Sequence, residues 1–150
     1  AEIGELLRLD NGVQMENKNI VNPEEVRDFL KMCTPDTLAI GIGNAHGYYK
    51  GKPDIHLEIL ETIKESTDIP LVLHGCTGME EEVIKEAIKL GVSKINFGTE
   101  IRYKYVQYYK EGLNNLDHQG HSWKLSMYAS NALVEDVKNI IRLSGSAGTV

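Results

Sequence analysis

Two histidines stand at matching places in this sequence. "LAIGIGNAH" at 38–46 is an apolar run that closes on His46, and "PLVLH" at 70–74 closes on His74. Each is followed at once by glycine, Gly47 and Gly75. Neutral imidazole is a good zinc ligand, and catalytic zinc commonly takes three protein ligands and keeps one position open. Two histidines brought to one rim by neighbouring strands can share such an ion. The plainer alternative stays beside it: a strand-end histidine that packs and hydrogen-bonds.

The glycines point to a second chemistry. Glycine lets backbone N–H groups approach an anion closely, and a helix that follows adds the positive end of its dipole. "HGCTGMEEE" at 74–82 therefore reads as a phosphate cradle built on Gly75 and Gly78, with Thr77 offering a hydroxyl. "NFGTE" at 96–100 has the same form, with Asn96 at a strand end and Thr99 opening a helix. The alternatives are glycines that only turn the chain, and a strand end with an N-cap. His56, His118 and His121 lie in helical or polar contexts and read as surface or packing residues.

Positioning these groups takes an alternation of strands and helices. "NPEEVRDFLKMC" starts as helices do, with Asn22 as cap, Pro23 in the first position and Glu25 where a capping box wants it. Helices are expected at 54–66, capped by Asp54, at 79–91, at 99–113 and at 123–142. Strands are expected around 2–7, 38–43, 71–74 and 94–98, short and apolar as in sheets buried on both faces. Lys94 is expected to begin its strand, far from the chemistry. Strand, helix, strand, helix with short connections means parallel strands. A (βα)8 barrel usually needs about 250 residues, so on that reading the chain is half of one.

Composition bounds the rest. At 150 residues, 41% hydrophobic and 25% charged, the chain can bury a core, and its length predicts one domain, 1–150. A net charge of −6 speaks against nucleic acid as partner. No apolar run approaches the roughly 20 residues of a membrane span. Cys33 and Cys76 lack metal spacing and read as reduced thiols of a cytoplasmic protein. The start at Ala1, inside "AEIGELLRL" and without a visible signal peptide, reads as a processed start or as a piece of a longer protein.

At "GNAHGYYKGKPDIHLEIL", "PLVLHGCTG" and "KINFGTEI" the chain resembles the class II, zinc-dependent ketose-bisphosphate aldolases, the fructose- and tagatose-bisphosphate aldolase family of glycolysis and carbohydrate metabolism. An A-H-G-x-Y segment, then V-L-H-G, then N-x-x-T carries the resemblance, from Glu2 to about Gly112. It implies an α/β fold, the second half of a (βα)8 TIM barrel, roughly strands five to eight. His46 and His74 would be two of three zinc ligands, and Glu2 a strand-end glutamate near the metal. Gly47, Gly75, Thr77, Asn96 and Thr99 would hold the phosphate of dihydroxyacetone phosphate. The reaction would be reversible aldol cleavage of a ketose 1,6-bisphosphate to that triose phosphate and an aldehyde phosphate. It further implies a homo-oligomer, dimer or tetramer, in full-length form, and leaves room for a monovalent cation beside the zinc.

The departures from the family pattern are specific. The third zinc histidine and the neighbouring proton-handling aspartate of the family come from the other half of the barrel. "ELLRLDNG" stands where the family has a glycine-rich acidic loop, and "GHSWKLS" where it has Asp-Pro-Arg, so Lys124 is the candidate for the second phosphate. Alone, 150 residues would then not turn over, and open sheet edges would drive self-association. Two other readings remain: a non-catalytic phosphosugar-binding or structural remnant, and a complete small α/β domain whose histidines merely pack.

Overall fold

The computed structural model describes residues 1–4, 7, 8, 20–49 and 51–149, with residues 7 and 8 by their backbone. Of "ELLRLDNG", where the family's loop acid was sought, only those two residues fall within this range. The chain divides into two compact units, Ala1–Phe97 and Gly98–Val150.

The first unit is a wall of parallel strands. β1 (Glu2–Ile3), β3 (Leu38–Ile40), β5 (Leu71–Leu73) and β6 (Val92–Ile95) lie side by side in that order, each parallel to its neighbour. A second parallel pair joins β2 (Leu7–Arg8) to β4 (Ala45–His46), with Arg8 opposite His46. Every residue of β3 and β5 is buried, as the continuous apolar runs require of central parallel strands. The helices α1 (Pro23–Met32), α2 (Leu57–Glu65) and α3 (Glu81–Lys89) connect them, and Val26, Leu60, Ile63, Ile84 and Ala87 are their buried residues. This α/β architecture is the expected one: part of a (βα)8 barrel, strand followed by helix.

Local signals explain the boundaries. Asn22 caps α1, its Oδ1 accepting from the Glu24 N–H at 2.9 Å, with Pro23 in the first position. Gly91, at φ +109° just beyond α3, takes the left-handed conformation that ends helices.

The strand expected at 2–7 is split between β1 and β2, which pair in different sheets, and two further expectations fail. Asp54 does not cap α2: the helix begins three residues later, behind His56. The His56 N–H is drawn instead to the Ile42 carbonyl at 2.9 Å, and Asp54 Oδ2 stands 3.5 Å from His56 Nε2. The strand expected at 94–98 runs from Val92 to Ile95. Lys94 is therefore its third residue and not its start. The early ladder pairing of Val92 with Leu71 moves the strand forward.

The second unit is a pair of helices, α4 (Thr99–Asn115) and α5 (Ser122–Leu143). Lys104 Nζ meets Asp136 at 2.5 Å and Glu100 at 3.3 Å, and the Tyr108 hydroxyl donates to Asp136 at 2.8 Å. Gly112 is buried, and a Cβ there would meet Tyr128 at 3.1 Å and Leu125 at 3.3 Å. Lys104 against Asp136 and Gly112 against Leu125 make the helices antiparallel, and the missing side chain at Gly112 lets them approach. Among the described residues no helix is long and apolar enough to cross a membrane.

Candidate functional site

β4 and β5 deliver His46 and His74 to one place. Their ring centroids are 5.9 Å apart, with the planes tilted by 40°. Two imidazoles on one tetrahedral zinc, each nitrogen about 2.0–2.1 Å from the ion, hold their centroids about 5 Å apart. The observed spacing lies within about an ångström of that. His46 is exposed, whereas His74 keeps 20% of its side-chain surface.

Like His56 at its Nε2, His74 keeps a ring nitrogen unsatisfied. Its Nδ1 is buried and has no hydrogen-bond partner, a costly state for a polar atom. The carboxylate of Glu2, brought alongside by β1, stands 3.7 Å away, beyond hydrogen-bond reach. Burial lowers the pKa of His74 below the ordinary histidine value; Glu2 opposes this, and His46 and Lys94 add to it. The neutral, metal-binding form is thereby favoured. Glu2 and His46 each stand beside His74, but among the described residues no group of three or more histidine, cysteine or acidic side chains is arranged to hold an ion. The donor set fits zinc through two nitrogens.

The loop after β5 is held against the chain that ends in His46. Gly75 sits at φ +66°, and a Cβ there would stand 2.2 Å from the Ala45 carbonyl oxygen, so only glycine fits. Asn44, 1% exposed, accepts from the Ile42 N–H at 2.8 Å and donates to the His74 carbonyl at 3.1 Å. Tyr49 Oη accepts from the Ala45 N–H at 2.7 Å and faces the carbonyls of Ala45 and Gly75, each at 3.1 Å. Burial pushes the Tyr49 phenol up to about 12.

Of the other candidates, Gly47 follows His46 at φ +114° and Gly78 lies at φ +81°, both left-handed positions in the two loops. Thr77 is buried, 2% exposed, inside the β5 loop. Asn96 follows β6; its N–H donates to the Leu73 carbonyl at 3.1 Å, beside His74, and its Oδ1 accepts from Lys94 Nζ at 2.9 Å. Lys94 and Asn96 lie two residues apart and so share one face of the strand. Lys94 is therefore near the site, not remote from it.

Thr99 and Lys124 belong to the helical unit. Thr99 is the first residue of α4, and the N-cap is Gly98, without a side-chain bond. Lys124 Nζ donates to the Asp117 carbonyl at 3.4 Å and to Gln119 at 3.3 Å, beside a cavity of about 370 Å³ that Trp123, Met127 and Tyr128 also line. Sequence reading passed over Asn44 and the Tyr49 hydroxyl, and placed Lys94 at the wrong end of its strand. The signals lay in "GNAHGYY" and "KIN", as polar residues set between apolar ones.

The profile of the family described as fructose-bisphosphate aldolase class-II matches residues 1–149. Among solved structures, a putative fructose-1,6-biphosphate aldolase from Coccidioides immitis is similar at 27% identity and TM-score 0.82, over 99% of this chain and 52% of that one. The YdjI aldolase from Escherichia coli K12 is similar at 28% identity and TM-score 0.67, over 86% of this chain and 46% of that one. The fructose-bisphosphate aldolase of Campylobacter jejuni, at 21% identity and TM-score 0.67 over 83% and 45%, shares the fold. The chain spans about half the length of the solved structures it matches.

Proposed function

Because the chain belongs to the class II fructose-bisphosphate aldolase family, we propose that His46 and His74 hold a zinc ion and that the surrounding loops bind the phosphate of a ketose phosphate. The observation that carries this reading is the pair of facing imidazoles, one with a buried nitrogen lacking any hydrogen-bond partner. The substrate class is a ketose bisphosphate with its cleavage product dihydroxyacetone phosphate, in the cytoplasm, where two free thiols persist.

The chemistry a zinc ion supplies here is Lewis acidity toward the ketose carbonyl. This chain's own residues do the rest. The left-handed glycines Gly47, Gly75 and Gly78 open the two loops to close approach by a phosphate, and Thr77 adds a hydroxyl. Asn96 lies against the triose, its amide oriented by Lys94. Glu2, beside His74, bears on the proton balance of the cleft. In the cleavage the C3–C4 bond breaks, the C4 hydroxyl gives up its proton to a base, and the electron pair passes into the enediolate of the triose. Lys94 stands at the cleft too, so a Schiff-base route is set aside on family membership and not on the place of Lys94.

A second reading rests on the absence of a three-ligand cluster among the described residues: a protein that binds phosphosugar without turnover. Titration calorimetry with dihydroxyacetone phosphate, with and without zinc, separates the two. Binding that strengthens with zinc and disappears in His46→Ala supports the aldolase site. Binding indifferent to zinc supports the second reading and sinks the first.

A further inference from the structure

We propose that the Tyr49 hydroxyl sets the spacing of the His46 and His74 rings, making Tyr49 a positioning residue of the two-histidine site. The inference deepens the reading of those histidines as ligands and rests on it.

The atoms that Tyr49 grips decide the matter. It accepts the N–H of Ala45, the residue just before His46, at 2.7 Å. Its proton faces the carbonyl of Ala45 and that of Gly75, the residue just after His74, both at 3.1 Å. A phenol has one proton and two lone pairs, so this hydroxyl spends nearly all its capacity on the residues flanking the two histidines. Tyr49 belongs to the His46 loop, three residues on, and its ring lies near Gly78, where a Cβ would stand 3.5 Å from Tyr49 Cδ2. One side chain therefore ties the end of β4 to the loop after β5.

Two neighbouring contacts share this seam, but neither takes the Ala45 N–H. Gly75 against Ala45 is backbone on backbone and sets only a closest approach. Asn44 holds the His74 carbonyl at 3.1 Å but takes its other bond from Ile42, four residues before His46. Ala45 is fully buried, so water cannot replace the lost partner of its N–H. The groups that orient metal ligands are worth roughly 10- to 100-fold in affinity.

The test compares the full chain with Tyr49→Phe, which keeps the ring and loses the hydroxyl. Without metal, the variant should weaken the nuclear Overhauser effect between the His46 and His74 rings at least twofold. Exchange of the Ala45 amide should quicken by about tenfold, with the amides of α2 unchanged. Leu60→Val, a remote core change of similar cost, should leave the ring signal alone. Zinc affinity in Tyr49→Phe should fall by at least tenfold. An unchanged ring signal and an unchanged Ala45 amide overturn the proposal. If Tyr49→Phe does not fold, the wild type decides: a slowly exchanging Tyr49 hydroxyl proton with cross-peaks to Gly75 upholds it, and a rapidly exchanging one overturns it. A ring signal that weakens in a protein that never takes up zinc keeps the positioning role and sinks the metal reading. Equal zinc binding by both proteins sinks the positioning role alone.

Discussion

Cys76, two residues after His74, is 1% exposed, and burial pushes its thiol up to about 11, with the Asn96 N–H opposing. Cys33 is exposed. A thiol reagent should therefore modify Cys33 rapidly in the native protein and reach Cys76 only on unfolding; fast reaction of both would contradict the packing of the β5 loop. The same burial fixes a pH dependence. The unfolded thiol loses its proton near pH 8.5, whereas the native one keeps it to about 11. Between these values unfolding releases a proton, so rising pH favours the unfolded chain. The melting temperature should fall from pH 9 to 11, Cys76 contributing roughly 2–3 kcal/mol; Cys76→Ala should reduce that slope, and the buried Tyr49 phenol should sustain the remainder above pH 10. At this scale the histidines were legible because type and strand-end place coincide. Asn44 and Tyr49 were not, because they act on backbone atoms 30 and 26 residues away.

The strands and helices were legible wherever apolar spacing is regular, as in β3, β5 and α3. Reading failed where a long-range backbone bond decides the boundary. Ile42 captures the His56 N–H and delays α2, and pairing with Leu71 begins β6 at Val92. That second shift places Lys94 at the site. The join between β4 and β5 is the element most sensitive to change. Gly75→Ala puts a Cβ 2.2 Å from the Ala45 oxygen at a left-handed φ, and should cost roughly 3 kcal/mol or more in denaturant unfolding. Leu60→Ala, fully buried in α2, should cost about 2–5 kcal/mol. Gly75→Ala should also separate the histidines, which Leu60→Ala should not. A mild effect of Gly75→Ala would contradict the close approach.

The described residues form one unit with a wall of parallel strands and another with a helical pair, on a chain about half as long as the structures it matches. Among the described strands β1 and β6 are edges, with unpaired backbone groups that invite another strand. The isolated chain should self-associate in light scattering, and a stable monomer would contradict open edges. The barrel lineage was legible from the strand–helix rhythm with three short motifs. Sequence spacing could not show how close the two imidazoles come, because that distance is set by folding. The most direct test of the account is the zinc content of the purified chain, by elemental analysis, beside His74→Ala. Zinc near one equivalent is expected in the wild type, and its loss in the variant. Zinc that persists undiminished in His74→Ala, or a wild type that takes up none when zinc is supplied, would contradict it.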